Sequence, residues 1–237
     1  MNASGSKSKR RAAVVSFSGV DGAGKSTQIR ALASYLRHQG LRVSIVPFWD
    51  EIACLTGLRE DAGHRIFKGE KGVGSPEKPV NRRDKNVRSW PMSCVRLFLY
   101  LLDAFSTRRA VRRALRSGAD FIIFDRYLYD ELANLNLRNP IMRAYARLTR
   151  LIVPRPDVSY LLDADPLQAR ARKPEYPLEF IYLNRQSYHD LSRILGGITV
   201  IPPMPVNDVQ REVLHHALGA LSGSIAQREP VVMQKAG

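Results

Sequence analysis

Residues 12–47 read AAVVSFSGVDGAGKSTQIRALASYLRHQGLRVSIVP. Ala12 to Phe17 is a short apolar run with β-branched residues, which predicts a buried strand. Lys25 to Gln39 places Ile29, Leu32, Ala33 and Leu36 on one helical face, and Gly40 is a good terminator. Leu41 to Pro47 predicts a second strand. Strand, helix and strand in this short compass form a βαβ unit, whose crossover implies a parallel sheet. Between strand and helix stands Gly19-Val20-Asp21-Gly22-Ala23-Gly24-Lys25-Ser26, a full G-x-x-x-x-G-K-[ST] match. Its glycines let successive backbone N–H groups curl around a phosphate chain, and the start of the helix adds its positive dipole end. Lys25 supplies a point charge for β- and γ-phosphates, and Ser26 offers a hydroxyl to Mg²⁺. Residues 19, 21–24 and Thr27 complete the expected phosphate cradle.

Working outward, Phe121 to Phe124 (FIIF), Val158 to Leu162 (VSYLL) and Ile198 to Ile201 (ITVI) predict three more strands. A long helix is expected from Pro91 to Ser117, ending at Gly118, another helical region before Pro154, and a closing helix from Val209 to Leu221. Five strands alternating with helices give a three-layer α/β/α sandwich on a five-stranded parallel sheet, with the P-loop motif after its first strand. The domain is expected to span residues 12–222, between a basic tail at 1–11 and a second tail at 223–237. Residues 68–88 are rich in glycine, proline and basic side chains and predict a mobile loop. Residues 168–180 predict a lid.

Hydrophobic content of 44% is enough for a real core, and no apolar run approaches the roughly 20 residues of a membrane-spanning helix. Met1 to Arg11 has no apolar stretch of the secretory type. Cys54 and Cys94 lack metal spacing, so a reduced, cytoplasmic setting is expected. The net charge of +15 invites contact with nucleic acid or an anionic membrane. The arginines are spread over two stretches without a recognised nucleic-acid module, which favours handling of anionic substrates by a basic surface.

Two further stretches carry chemistry. FIIFDRY (Phe121–Tyr127) ends a buried strand in a carboxylate followed by a guanidinium. Ligands of open parallel sheets bind at the carboxyl ends of strands, so Asp125 and Arg126 should face the phosphate cradle. Asp125 is a candidate Mg²⁺ ligand, and Arg126 a clamp for the acceptor phosphate. LLDADP (Leu161–Pro166) ends another strand and starts a helix, with Arg170, Arg172 and Lys173 beyond it. Arginines on a movable segment close over phosphates and exclude water.

FSGVDGAGKSTQ (17–28), FDRY (124–127), LLDADPLQARARK (161–173) and Asn184-Arg185-Gln186-Ser187-Tyr188 occur in the order and spacing of thymidylate kinases. The chain resembles that family over most of residues 12–222. The resemblance implies ATP with Mg²⁺ as donor, a nucleoside monophosphate as acceptor, and a homodimer. It places Asp21 near the acceptor sugar and Arg126 on the acceptor phosphate. Ala23 stands where some members carry an extra basic residue, which makes Arg170 or Arg172 the catalytic lid arginine. It also puts Pro202 to Asp208 against adenine. Two positions depart from the family pattern. Pro47-Phe48-Trp49-Asp50-Glu51 replaces the Arg-Glu-Pro element, and Asp103 or Ala104 stands where an arginine reads thymine. Phe98 or Tyr100 remains to stack a base, Asp103 to accept hydrogen bonds from one, and Arg82, Arg83, Lys85 and Arg88 to replace the phosphate-binding arginine. Two other readings follow from these departures and from the charge: a P-loop kinase for a nucleoside, sugar or other metabolite, and a nucleotide-dependent protein docking on anionic surfaces.

Overall fold

The computed structural model describes residues 11–48, 52 and 90–226. Trp49 to Glu51, Cys54, the basic loop at 68–88 and most of both tails lie outside the described residues. In chain order the elements are β1 (Ala13–Ser18), α1 (Lys25–His38), β2 (Val43–Pro47), α2 (Trp90–Arg116), β3 (Phe121–Asp125), α3 (Leu128–Leu132), α4 (Pro140–Ile152), β4 (Val158–Leu162), α5 (Pro166–Arg172), α6 (Leu178–Leu195), β5 (Thr199–Ile201) and α7 (Val206–Ala226). The strands form one parallel sheet in the order β2-β3-β1-β4-β5.

Alternation along the strands builds two cores. Ala13, Val15 and Phe17 of β1, with Phe121 and Ile123 of β3, meet Ile29, Leu32 and Leu36 of α1 and Val213 and Ala217 of α7. Val14, Ile122 and Phe124 face the other way, against Tyr100, Ala104 and Val111 of α2 and Leu191 of α6. Helices therefore cover both faces, as the near-continuous apolar strands require. Register sets the functional rim: Phe17 and Pro47 both pair with Asp125, so β1, β2 and β3 end at one level.

Element limits moved where local bonds overrode the apolar pattern. The N–H of Leu41 closes the end of α1 by donating to the Leu36 carbonyl at 3.1 Å, so β2 begins only at Val43. The helical region before Pro154 is two helices. Asn139 Oδ1 accepts from the Ile141 N–H at 2.8 Å, and Pro140 at the first helical position restarts the helix. The Pro205 carbonyl accepts from Asp208 and Val209, which starts α7 before Val209, and the helix runs on to Ala226. Among the described residues no helix is long and apolar enough to cross a membrane.

Candidate active site

The loop from Gly19 to Gly24 turns tightly because its backbone adopts left-handed angles. Gly22 has φ +84°, and a Cβ there would stand 2.3 Å from the Ala169 carbonyl oxygen of α5. Gly19 has φ +139°, and its Cβ would meet the Leu162 carbonyl oxygen at 2.4 Å. Gly24, at φ +91°, caps α1, and its carbonyl accepts from the Thr27 and Gln28 N–H groups. Lys25 is buried. Its Nζ donates to the carbonyls of Gly19 at 2.7 Å and Val20 at 2.9 Å, and lies 3.9 Å from Asp21 Oδ1. Burial, then the neighbouring Arg126 charge, lowers its pKa to about 8, against the pull of Asp130, Asp21 and Asp125. Ser26 and Thr27 are exposed at the first turn, and Ala23 is half-buried between them and Gly22.

Across the rim, β3 ends in Asp125, and the Arg126 N–H donates to the Phe17 carbonyl at 3.0 Å. Arg126 has φ +71°, the one positive value at a non-glycine among the described residues. Its guanidinium donates through Nη2 to Asp21, while Nη1 lies 3.6 Å from Asp130 Oδ1. Burial alone would lower its pKa. Asp130 and Asp21 outweigh that and hold it above the ordinary arginine value. Asp21 is itself raised by burial, yet ends below the carboxylate range because Arg126, Lys25 and Lys173 surround it. Asp125 is raised by burial, with Lys25 and Arg126 as the opposing charges. Its carboxylate thus lies within the field of the P-loop lysine.

Asp130 escaped the sequence reading. It sits in the fully buried helix α3 and gathers Ser18, Tyr127, Tyr188 and Arg126 around one carboxylate. The available signal was a pair of carboxylates, Asp130 and Glu131, flanked by apolar residues in LYDEL, since buried charges are rare unless paired.

Helix α5 leans on the phosphate loop. Asp165 Oδ1 caps it by accepting from the Gln168 N–H at 3.0 Å. Arg172 Nη1 donates to the Gly22 carbonyl at 3.2 Å, and Lys173 Nζ stands 4.0 Å from Asp21 Oδ1. Arg170 lies half-buried on the same helix. Asp163, at the end of β4, accepts both Nε and Nη2 of Arg185, at 2.6 and 2.7 Å, with His189 Nε2 at 3.2 Å. Burial raises this carboxyl, and the Arg185 fork and His189 more than offset it, so its pKa is lowered.

A cavity opens between these groups. Gly19, Val20, Asp21 and Arg126 form one wall, and Tyr176, Phe180, Ile181, Asn184 and Tyr188 the other. The rings of Tyr176 and Phe180 lie 5.1 Å apart at 35°. Asn184 Oδ1 is shut off from solvent without a hydrogen-bond partner among the described residues. Tyr176, Phe180 and Asn184 were not singled out as site residues, although Phe180, Asn184 and Tyr188, four apart, share one stripe of α6. Phe98, Tyr100 and Asp103 do not line this cavity. Phe98 is exposed on α2, while Tyr100 and Asp103 are buried.

Comparison with known proteins bears on this geometry. The family model for methylmalonyl-CoA mutase-associated GTPase MeaB matches residues 4–53, a span that ends just beyond β2. A probable thymidylate kinase of Archaeoglobus fulgidus is 26% identical over 154 residues, covering 65% of this chain and 65% of that protein. A probable thymidylate kinase of Methanopyrus kandleri is 26% identical over 177 residues, 75% of this chain and 72% of that protein. These matches run well past the phosphate loop. The chain is thus similar to probable thymidylate kinases over 65–75% of its length. The crystal structure of thymidylate kinase from Ehrlichia chaffeensis shares the fold of this thymidylate kinase-like chain, with a TM-score of 0.54 and 19% identity, over 86% of this chain and 98% of that one.

Proposed function

We propose that the chain is a nucleotide kinase that transfers the γ-phosphoryl group of ATP to the phosphate of a nucleoside monophosphate, with a dTMP-like acceptor first in order. The observation that carries this reading is the placement of Arg126. Its guanidinium stands at a strand tip within reach of Asp21, on the wall of a cavity closed by an aromatic pair. A cation there meets an acceptor phosphate, while Lys25 and the helix start serve the donor.

In the transfer, an oxygen of the acceptor phosphate attacks the γ-phosphorus in line, the bond to the β–γ bridging oxygen breaks, and ADP leaves with that electron pair. Lys25, Arg126 and Arg172 spread the developing negative charge, and Arg170 on the same helix is the alternative lid cation. Asp21 takes the acceptor sugar. Tyr176 and Phe180 supply apolar faces to the nucleoside, and Asn184 offers an unmet acceptor to one of its N–H or O–H groups. The oxygen donors Ser26 and Asp125 suit Mg²⁺, which ordinarily takes one or two protein oxygens together with substrate phosphates. When bound, it neutralises phosphate charge. Exposed Val95, Phe98 and Phe105 of α2, and Ile141, Leu148 and Leu151 of α4, are apolar side chains that a homodimer would cover.

The decisive experiment incubates the chain with ATP and Mg²⁺ against a panel of nucleoside monophosphates and reads ADP release. Lys25→Ala should lower turnover by at least about a hundredfold with the fold intact. Near-normal transfer by that variant would end the proposal. A second reading, a different small acceptor, is favoured because Phe98, Tyr100 and Asp103 are not among the residues lining the cavity. Silence with every monophosphate, and ADP release with a hydroxyl acceptor, would establish it. The GTPase family match over residues 4–53 adds one arm, GTP in place of ATP as donor.

A further inference from the structure

Asp130 is a buried carboxylate with no part in the transfer as described. Its Oδ2 accepts from Ser18 Oγ at 2.6 Å and from the Tyr127 N–H at 3.1 Å. Its Oδ1 accepts from Tyr188 Oη at 2.7 Å and faces Arg126 Nη1 at 3.6 Å. The donors come from the end of β1, the start of α3, the middle of α6 and the tip of β3. Three neutral donors gripping both oxygens leave the carboxylate no freedom to rotate. A buried carboxylate is costly to leave without a cation, and Arg126 supplies one.

The two carboxylates that hold Arg126 are unlike. Asp21 is 22% exposed and lines the cavity, and Lys25 and Lys173 stand at 3.9 and 4.0 Å to hold its charge if Arg126 departs. Asp130 is 3% exposed at its side chain and locked from three directions. The Arg126 backbone is also left-handed, a conformation that persists at a bulky residue only where the surroundings over-determine it. Strand register and the bond to Phe17 fix the main chain, so the side chain needs its own anchor.

We propose that Asp130 is a positioning residue that retains Nη1 of Arg126 while Nη2 exchanges Asp21 for the acceptor phosphate. This rests on the kinase reading and adds to it the means by which the guanidinium stays aimed when its exposed partner lets go. The exchange is of hydrogen bonds only. Asp21, freed from Nη2, turns to the lysines and to the acceptor sugar. Tyr188 ties this anchor to α6, the helix that carries Phe180 and Asn184, so the phosphate clamp and the nucleoside wall share one support.

Two measurements test it. The first is the ¹⁵N–¹H signal of Arg126 Nε in the ligand-free chain, identified by its absence in Arg126→Ala. Wild type should give a slowly exchanging, rigid signal. Asp130→Asn should broaden it and speed its exchange, and Asp21→Asn should disturb it less. Equal rigidity in wild type and Asp130→Asn overturns the proposal. The second is a double-mutant cycle on kcat/KM for the monophosphate acceptor. Asp130→Asn alone should lose about 10- to 100-fold, with the KM for ATP little changed, because a misplaced clamp costs rate at that scale. In the Arg126→Ala background the same change should have little further effect. Losses that multiply would mean that Asp130 only supports the fold. If Asp130→Asn does not fold, Tyr188→Phe removes a single donor and should show a weaker loss with the same dependence on Arg126. A wild-type chain that transfers no phosphoryl group sinks the kinase reading, and the Arg126 signal still decides the anchor.

Discussion

Gly22 shows how a single hydrogen atom holds two parts of the site together. A methyl group in its place would press on the Ala169 carbonyl at 2.3 Å in a left-handed backbone. Gly22→Ala should therefore push α5 from the phosphate loop, with a cost of about 2 kcal/mol or more and loss of nucleotide affinity. A melting curve and a titration with ATP measure both. Asp163 invites a second test. Its pKa lies below the ordinary 3.8, so its contribution to stability is present above that value and is lost as pH falls through the lowered one. Asp163→Asn should destabilise by about 1–3 kcal/mol at neutral pH. Denaturation compared at pH 7 and below 3.8 should show the gap closing in acid; a constant gap would mean that charge is not its source. At this scale the sequence made one juxtaposition legible, Lys25 beside Asp125 and Arg126, because a glycine-rich turn and a strand-end carboxylate both fall at the carboxyl ends of parallel strands. It was opaque at Asp130, whose meaning depends on Ser18 and Tyr188, residues brought beside it by the sheet and by α6.

Among the elements, α5 is the shortest that bears the proposed lid cations, and its hold is local. Asp165→Ala removes the Oδ1 that accepts from Gln168, worth about 1 kcal/mol. A seven-residue helix has little intrinsic stability, so the cap and the packing of Ala169 on Gly22 are what hold it. Amide exchange across 167–172 should quicken in this variant while β1 and β3 stay protected. If the exchange does not change, packing on Gly22 and not the cap holds the helix. The three central strands β1, β3 and β4 were legible because parallel strands buried on both faces are nearly continuous apolar runs, and β4 fell on Val158–Leu162 as expected. Limits were less legible. Hydrogen bonds at Leu41, Asn139 and Pro205, which hydrophobic periodicity does not encode, set where β2, α4 and α7 begin. The cavity wall on α6 was missed because its stripe reads equally well as core, and Ile181 and Leu191 of the same helix are core.

For the whole molecule, a charge of +15 is distributed over a surface that also exposes apolar side chains on α2 and α4. Attraction between such a surface and polyanions is screened within about 10 Å at 0.1 M salt. Binding of a short duplex oligonucleotide, followed by anisotropy, should fall more than about tenfold between roughly 50 and 200 mM salt, while ATP affinity changes far less. Salt-insensitive oligonucleotide binding would instead point to a shaped nucleic-acid site. Every group in the proposed chemistry rides on the rim where β1, β3 and β4 end. At the opposite rim the chain turns through Gly118, and exposed Arg42 forks onto Asp120 at 3.0 and 3.1 Å. That corner is a natural graft point. A reporter domain spliced between Gly118 and Ala119 would hang a full strand length from the phosphates, so the protein lends itself to conversion into a nucleotide sensor without touching the machinery it reports on.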